Sequence, residues 1–327
     1  MSDGVISPLT KAGHVALVTE DMDKSLWFWT EVVGLERADE EGDTVYLRSW
    51  GDLEHHSLSL TAGSPGRVDH IAWRVRRPED LDAVASPLEA AGTELTWVQP
   101  GEERGQGRAV RFSSPFGHRF ELYHEIERAS APAHLRSRIK SNASRAWQRG
   151  ISPRRIDHVN ITTNDAGALT DWLGEALGFS MREYIRLNDG SMAAGWMAVS
   201  ALSHDIGVIV DPSGDKADGF QHVAYYVDNA QDVLRAIEIL KENGIPVDAG
   251  PGRHGISQGI FAYTRDPGSG HRLEIFTGGY LVLDADWEPI EWPEEEMATA
   301  LSWWGTQIFS LPDMDVTTDF GGKHAQA

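Results

Sequence analysis

The stretch DHVNITTNDAGALTDWLGEALG, residues 157–178, reads as a short apolar strand that starts at His158 and a helix that stops at Gly178. Three other stretches repeat that grammar. GHVALVT (13–19) runs into DMDKSLWFWTEVVG (21–34), DHIAWRV (69–75) into PEDLDAVASPLEAAG (78–92), and QHVAYYV (221–227) into NAQDVLRAIEILKENG (229–244). Each helix opens on a capping-type residue or a proline. Each closes on a glycine suited to the left-handed position after a helix: Gly34, Gly92, Gly178 and Gly244. Apolar residues recur at three- and four-residue spacing, so one face of each helix is buried. Further β-like segments follow each helix, among them TVYLRSW (44–50), RAVRFSS (108–114), MAAGWMAV (192–199) and GIFAYT (259–264). The unit is therefore strand, helix and about three strands. Four copies fill the chain, a repeat architecture of α+β class built from βαβββ modules.

The two halves also end alike, in VRFSSPFGHRFELYHE (110–125) and AYTRDPGSGHRLEIFTGG (262–279). This similarity predicts two tandem domains, 1–127 and 156–280. Residues 128–155 carry eight Lys or Arg and no acid between Arg128 and Arg155, and read as a basic linker. The remainder, 281–327, is acidic and rich in Trp, and its aromatic rings are expected to pack on a domain or a neighbouring subunit.

Composition narrows the class. Of 327 residues, 41% are hydrophobic and 24% charged, which is globular. The formal net charge of −21 disfavours nucleic acid and anionic membrane as partners. No apolar run is long enough to span a membrane, and MSDGVISPLTKAGH at the N-terminus shows no secretory signal, so the expected location is the cytoplasm. With no cysteine, any metal must be held by His, Asp, Glu or backbone oxygen.

Such ligands exist. His158 and His222 open corresponding strands of the second half, and Glu274 follows in HRLEIF. If these strands line one face of a curved sheet, the three side chains converge. Two imidazoles and a carboxylate on one side of an ion leave its other side open, the facial arrangement of non-haem Fe(II) oxygenases; zinc also accepts these ligand types. Nearby stand groups capable of proton chemistry: His204, His254 in the glycine-rich AGPGRHGISQG, and Tyr263.

Together, HVN (158–160), HD (204–205), QHVAY (221–225), GPGRHG (250–255), AYTRDP (262–267) and HRLEIFTGG (271–279) resemble the type I extradiol dioxygenases of the vicinal oxygen chelate superfamily. Catechol 2,3-dioxygenase (metapyrocatechase) is the best-known member of that group. The resemblance covers nearly the whole chain. It implies Fe(II), with Mn(II) as the alternative, held by His158, His222 and Glu274. It makes His204 the acid–base that meets dioxygen, and places His254 and Tyr263 at the substrate oxygens. It puts Asn160 and Trp196 beside the oxygen and substrate pockets. The implied reaction opens a catechol next to its diol with O2, giving a 2-hydroxymuconate semialdehyde-type product, in a homotetramer. One departure stands out: DPGSGHRLE has one residue more between the turn and the glutamate than the family pattern.

His14, His70 and Glu121 hold the matching places in the first half, but the residues around them are not expected to repeat. Arg111 aligns with Tyr263, and a cation there opposes a metal, so the first domain is expected to be metal-free. Related homoprotocatechuate enzymes hold a substrate carboxylate with arginines at places that are Ala249, Ala300 and Leu301 here. An uncharged catechol is therefore expected, either catechol or an alkyl- or aryl-substituted one. Two other activities fit the module: a glyoxalase-like isomerase or lyase with another divalent metal, and a metal-free small-molecule-binding protein.

Overall fold

The computed structural model describes residues 7–145, 149–211, 218–308 and 318–320. Parts of the expected N-terminal segment, linker and tail lie outside the described residues. The fold is α+β, with two tandem domains of paired βαβββ modules. The first module runs β1 (Leu9–Thr19), α1 (Met22–Trp27), β2 (Glu36–Glu41), β3 (Thr44–Arg48), β4 (Leu58–Ala62). The second runs β5 (Arg67–Val75), α2 (Asp80–Ala90), β6 (Thr96–Val98), β7 (Ala109–Ser113), β8 (Arg119–Tyr123). The third and fourth modules repeat the scheme. They are β9 (Arg155–Thr163), α3 (Ala166–Leu177), β10 (Ser180–Arg186), β11 (Met192–Ala198), β12 (Ile206–Val210), and then β13 (Gly219–Tyr226), α4 (Ala230–Glu242), β14 (Val247–Arg253), β15 (Ile260–Arg265), β16 (Arg272–Thr277).

Within each module the first strand pairs parallel with the last: β1 with β4, β5 with β8, β9 with β12, β13 with β16. Within each domain the two first strands pair antiparallel, β1 with β5 and β9 with β13. The resulting orders are β2-β3-β4-β1-β5-β8-β7-β6 and β10-β11-β12-β9-β13-β16-β15-β14.

The helix signals behave as the sequence suggests, with one exception. Asp165 accepts from Ala168 N at 3.0 Å and Asn229 from Asp232 N at 3.2 Å, each capping a helix start. Gly34, Gly92, Gly178 and Gly244 all have positive φ. The first helix, however, widens into a π-helical turn over Phe28–Val32, with Val33 N to Phe28 O at 2.8 Å. That wider turn buries Phe28, Trp29, Val32 and Val33 together and aims Trp29 Nε1 at Asp266 of the second domain, 3.2 Å away.

Strand alternation separates core from site. On β9, Val159 and Ile161 face α3 and join Leu169, Leu173 and Leu177 in the core, each such side chain contributing about 2 kcal/mol. His158, Asn160 and Thr162 face the opposite way, into a cavity. The shared GHR ending has a reciprocal use. His118 Nε2–H donates to Thr162 O at 2.9 Å, and His271 meets Val18 O at 3.2 Å, so each domain's histidine ties the other domain's first strand.

The described part of the basic stretch lies against both domains, with Arg149 3.1 Å from Glu31 and Arg154 3.0 Å from Asp228. The described tail crosses the second domain's open side. Its strand β17 (Ile290–Pro293) adds to β10, helix α5 (Met297–Leu301) follows, and β18 (Trp304–Gly305) adds to β14. Trp287 stacks on Tyr280, and Trp292 Nε1 donates to Glu183 at 2.8 Å. Trp303 and Trp304 are 62% and 44% exposed, so this chain's own domains cover them only in part. Among the described residues no helix is long and apolar enough to cross a membrane.

Candidate metal centre and substrate cavity

The structure brings His158 of β9, His222 of β13 and Glu274 of β16 together. His158 Nε2 lies 2.9 Å and His222 Nε2 3.0 Å from Glu274 Oε2, and the two Nε2 atoms are 3.3 Å apart. These edges of about 3 Å are those of ligands sharing one ion roughly 2.1 Å away. All three side chains are buried. Each ring's other nitrogen is held: His158 Nδ1 by Asp157 Oδ1 at 2.9 Å, and His222 Nδ1 by Gln221 Oε1. Such outer partners fix ring orientation and tautomer. In both cases the orienting residue immediately precedes the histidine. A bulge at Phe220/His222 lets Gln221 and His222 both reach the cavity.

The electrostatics favour a cation at this point. Burial works against a charged His158, yet the Asp157 and Glu274 carboxylates outweigh it and lift the ring to about 9. Glu274 is fully buried, but His222 and His158 hold it well below the usual carboxylate range. His222 is pushed down to about 4 by burial, which Glu274 only partly offsets. Nitrogen and oxygen donors without sulfur suit a hard or intermediate divalent metal.

The extra residue before Glu274 is taken up in the β15–β16 turn. Asp266 accepts there from Gly268 N at 2.9 Å and Ser269 Oγ at 2.6 Å, and Gly270 N bonds Asp266 O at 2.8 Å. Past the turn, Glu274 pairs in register with Tyr263.

The surrounding residues gather on the same side. His204 lies with its ring 4.0 Å from that of His158. Burial and the neighbouring His158 hold its pKa well below the ordinary value, so it is neutral. His254 Nδ1–H donates to Leu301 O at 2.6 Å, which turns Nε2 toward Glu274 Oε1 at 3.4 Å and Tyr263 OH at 3.3 Å. The His254 loop is held under strain: Ser257 and Gln258 take φ of 52° and 62°, and Ser257 N is fixed on buried Glu183 at 2.7 Å. Asn160 lies opposite His222 across the β9–β13 pair, and its buried Oδ1 has no partner among the described residues. Trp196 forms the far wall with Ile185, Ala194 and Ile256.

Together these groups line a cavity of about 570 Å³. Apart from Thr162 and Gln221, the rest of its described lining is apolar, and it contains no Lys or Arg. Met297 and Leu301 of α5, together with Ile308, add the tail to its lining. The resemblance already sets Leu301 of the tail beside the substrate; Met297 and Ile308 join it through the fold alone, because a tail folding back over a sheet leaves no local signal.

His204 is aimed by its neighbour. Asp205 accepts from Val199 N and Ser200 N at 2.8 Å each and from Ser200 Oγ at 2.9 Å, closing the loop that delivers His204. Asp205→Ala leaves these donors unpaired and is expected to destabilise the fold by about 2–3 kcal/mol in urea titration. Asp205→Asn, which keeps an acceptor, should lose much less; equal losses would show that the hydrogen bonds are not what matters.

The first half needs one correction. The expectation is that only its ligand positions repeat, yet the His56 ring lies 4.4 Å from that of His14, tilted just as His204 is against His158. The signal was present, since HHS (55–57) and SHD (203–205) precede corresponding strands.

A paired βαβββ domain with a buried His–His–Glu centre at the floor of an apolar cavity defines a metal enzyme of the vicinal oxygen chelate type. Residues 155–275 match the glyoxalase/bleomycin resistance protein/dioxygenase superfamily, and residues 68–127 match the catechol 2,3-dioxygenase-like N-terminal domain. The chain is 54% identical to a manganese-dependent 2,3-dihydroxybiphenyl 1,2-dioxygenase of Geobacillus genomosp. 3, over 95% of this chain and 98% of that protein. It is 31% identical to a metapyrocatechase of Geobacillus stearothermophilus, over 94% and 92%. It also superposes on the homoprotocatechuate 2,3-dioxygenase of Brevibacterium fuscum in complex with 3,4-dihydroxyphenylacetate, with a TM-score of 0.84 and 27% identity, over 98% and 95%. The chain belongs to the extradiol ring-cleaving dioxygenases of the vicinal oxygen chelate superfamily.

Proposed function

We propose that this dioxygenase opens an uncharged catechol, preferably one with an aryl substituent, at a metal held by His158, His222 and Glu274. The observation that carries the substrate is the apolar cavity of about 570 Å³, whose described lining offers no cation to a carboxylate. Its volume lies in the range that encloses drug-sized ligands, with room beyond a single ring. The 54% identical relative is named for a two-ring catechol and for manganese. We therefore place Mn(II) ahead of Fe(II), reversing the order expected from sequence; the donor set accepts either.

When bound, such a metal lets the catechol oxygens and O2 share one centre. The chain's own residues do the rest. Neutral His204 is placed to take and return a proton beside His158. Tyr263 OH and His254 Nε2 form a hydrogen-bonded pair next to Glu274, where a catechol oxygen comes in. Asn160 Oδ1 offers a free acceptor. Trp196, Ile185 and Leu301 enclose the substituent and exclude water.

Assay of the Mn(II)- and Fe(II)-loaded protein under air with three substrates tests this reading. Yellow ring-opened product is expected from 2,3-dihydroxybiphenyl and from catechol. For homoprotocatechuate, a carboxylate buried without a partner costs about 3 kcal/mol, so kcat/KM should fall roughly 100-fold. Efficient turnover of homoprotocatechuate would overturn the substrate assignment, and absence of ring-opened product from all three would overturn the function.

A further inference from the structure

The first domain carries a second, altered copy of the metal centre, built from the same places in the fold. His14 and His70 bring their Nε2 atoms to 3.1 Å, as His158 and His222 do at 3.3 Å. Asp69 orients His70 at 2.9 Å, in the place where Gln221 orients His222, whereas His14 Nδ1 has no partner among the described residues to match Asp157 beside His158. Glu121 stands opposite Arg111 in the β7–β8 register, where Glu274 stands opposite Tyr263. His56 takes the place of His204.

Two further differences set the copies apart. Glu103, from the loop before β7, reaches in to 3.0 Å from His14 Nε2, as the His254 loop before β15 reaches the other centre. Glu121 stands back, 3.8 and 3.7 Å from the histidines, against 2.9 and 3.0 Å for Glu274. What draws it back is Arg111, whose Nε bonds Glu121 while its Nη2 bonds Glu103. Gln106 Nε2 satisfies the remaining Glu121 oxygen at 2.7 Å.

We propose that the Arg111 guanidinium is the resident cation of this copy, and that removing its charge converts His14, His70, Glu103 and Glu121 into a second divalent-metal site. The four side chains already present ligand atoms within 4.8 Å of one another, all buried. A guanidinium bridging two carboxylates supplies the charge a metal would supply, and it repels a metal at the same point. Arg111 lines a surface pocket of about 690 Å³ together with His70, the side from which an ion is expected to enter once the side chain is shortened and neutral. The comparison of the two copies rests on reading His158, His222 and Glu274 as the working centre; the test separates the two.

Full-length protein is loaded with Mn(II), dialysed and assayed for metal per chain by elemental mass spectrometry. One equivalent is expected in the wild type, two in Arg111→Gln, and one in Arg111→Lys, which keeps the charge. Combining Arg111→Gln with His222→Ala should leave one equivalent and no ring cleavage, and Mn(II) should raise the melting temperature of that double variant but not of His222→Ala alone. Two equivalents in the wild type, or one in folded Arg111→Gln, would overturn the proposal. Failure of Arg111→Gln to fold even with Mn(II) would overturn it too, because the ion is expected to replace the lost charge. If His222→Ala alone keeps its metal, the reading of the second-domain centre fails instead.

Discussion

Replacing His222 with Ala is expected to remove tightly bound metal and ring cleavage together. The Glu274 carboxylate lies between two imidazoles at 2.9 and 3.0 Å, and taking one away leaves two ligands on a buried ion. Loss of an outer partner that merely orients a ligand lowers metal affinity or activity by roughly 10–100-fold, so loss of a ligand should exceed that. The fold should persist, because the core on this strand is carried by Phe220, Val223 and Tyr225, which face away from the cavity. Metal content by elemental mass spectrometry and rate of ring opening are read on the same preparation, with melting of the metal-free proteins as a control for folding. Retained metal with retained turnover would reject His222 as a ligand. Retained metal without turnover would move it to a substrate-positioning role.

The residues explain what sequence alone could and could not reach. The four strand-opening histidines were legible because the repeat is local: each strand alternates core and cavity faces, and each helix announces its ends with a capping residue or a proline and with a glycine. The convergence of His158, His222 and Glu274 follows from pairing β9 with β13 and β13 with β16, which duplication of the module implies. Features fixed by distant partners were not legible. The π-helical turn at Phe28–Val32 answers to Asp266 in the other domain, and the course of the tail answers to free edges on β10 and β14. Glu103 escaped because its loop has no period and its counterpart in the second half is a histidine. His56 was not legible because its neighbour His55 offers the same side chain, and only the fold sends His55 away toward Asp39, at 3.7 Å.

The second large effect concerns His204, and its sign is different in kind. His204→Asn should leave metal content unchanged and lower kcat by about 10²–10⁴-fold, the range for losing a positioned acid–base. Nothing in the geometry makes His204 a ligand: its ring packs 4.0 Å from the His158 ring and 6.2 Å from Phe276, and its Nδ1 engages Ser203 Oγ at 3.3 Å. It is instead a neutral imidazole at the cavity wall, held there by the loop that Asp205 closes. A neutral ring in that place can accept a proton and give it back, which a binding wall alone has no use for. The loss should therefore fall on kcat while KM for 2,3-dihydroxybiphenyl stays nearly constant. Steady-state kinetics over a range of O2 and catechol concentrations separate the cases. If His204→Asn loses metal, the residue belongs to the ligand set. If KM rises with kcat intact, it only shapes the cavity. Unchanged kinetics would remove proton transfer by His204 from the mechanism, leaving the Tyr263–His254 pair to carry it.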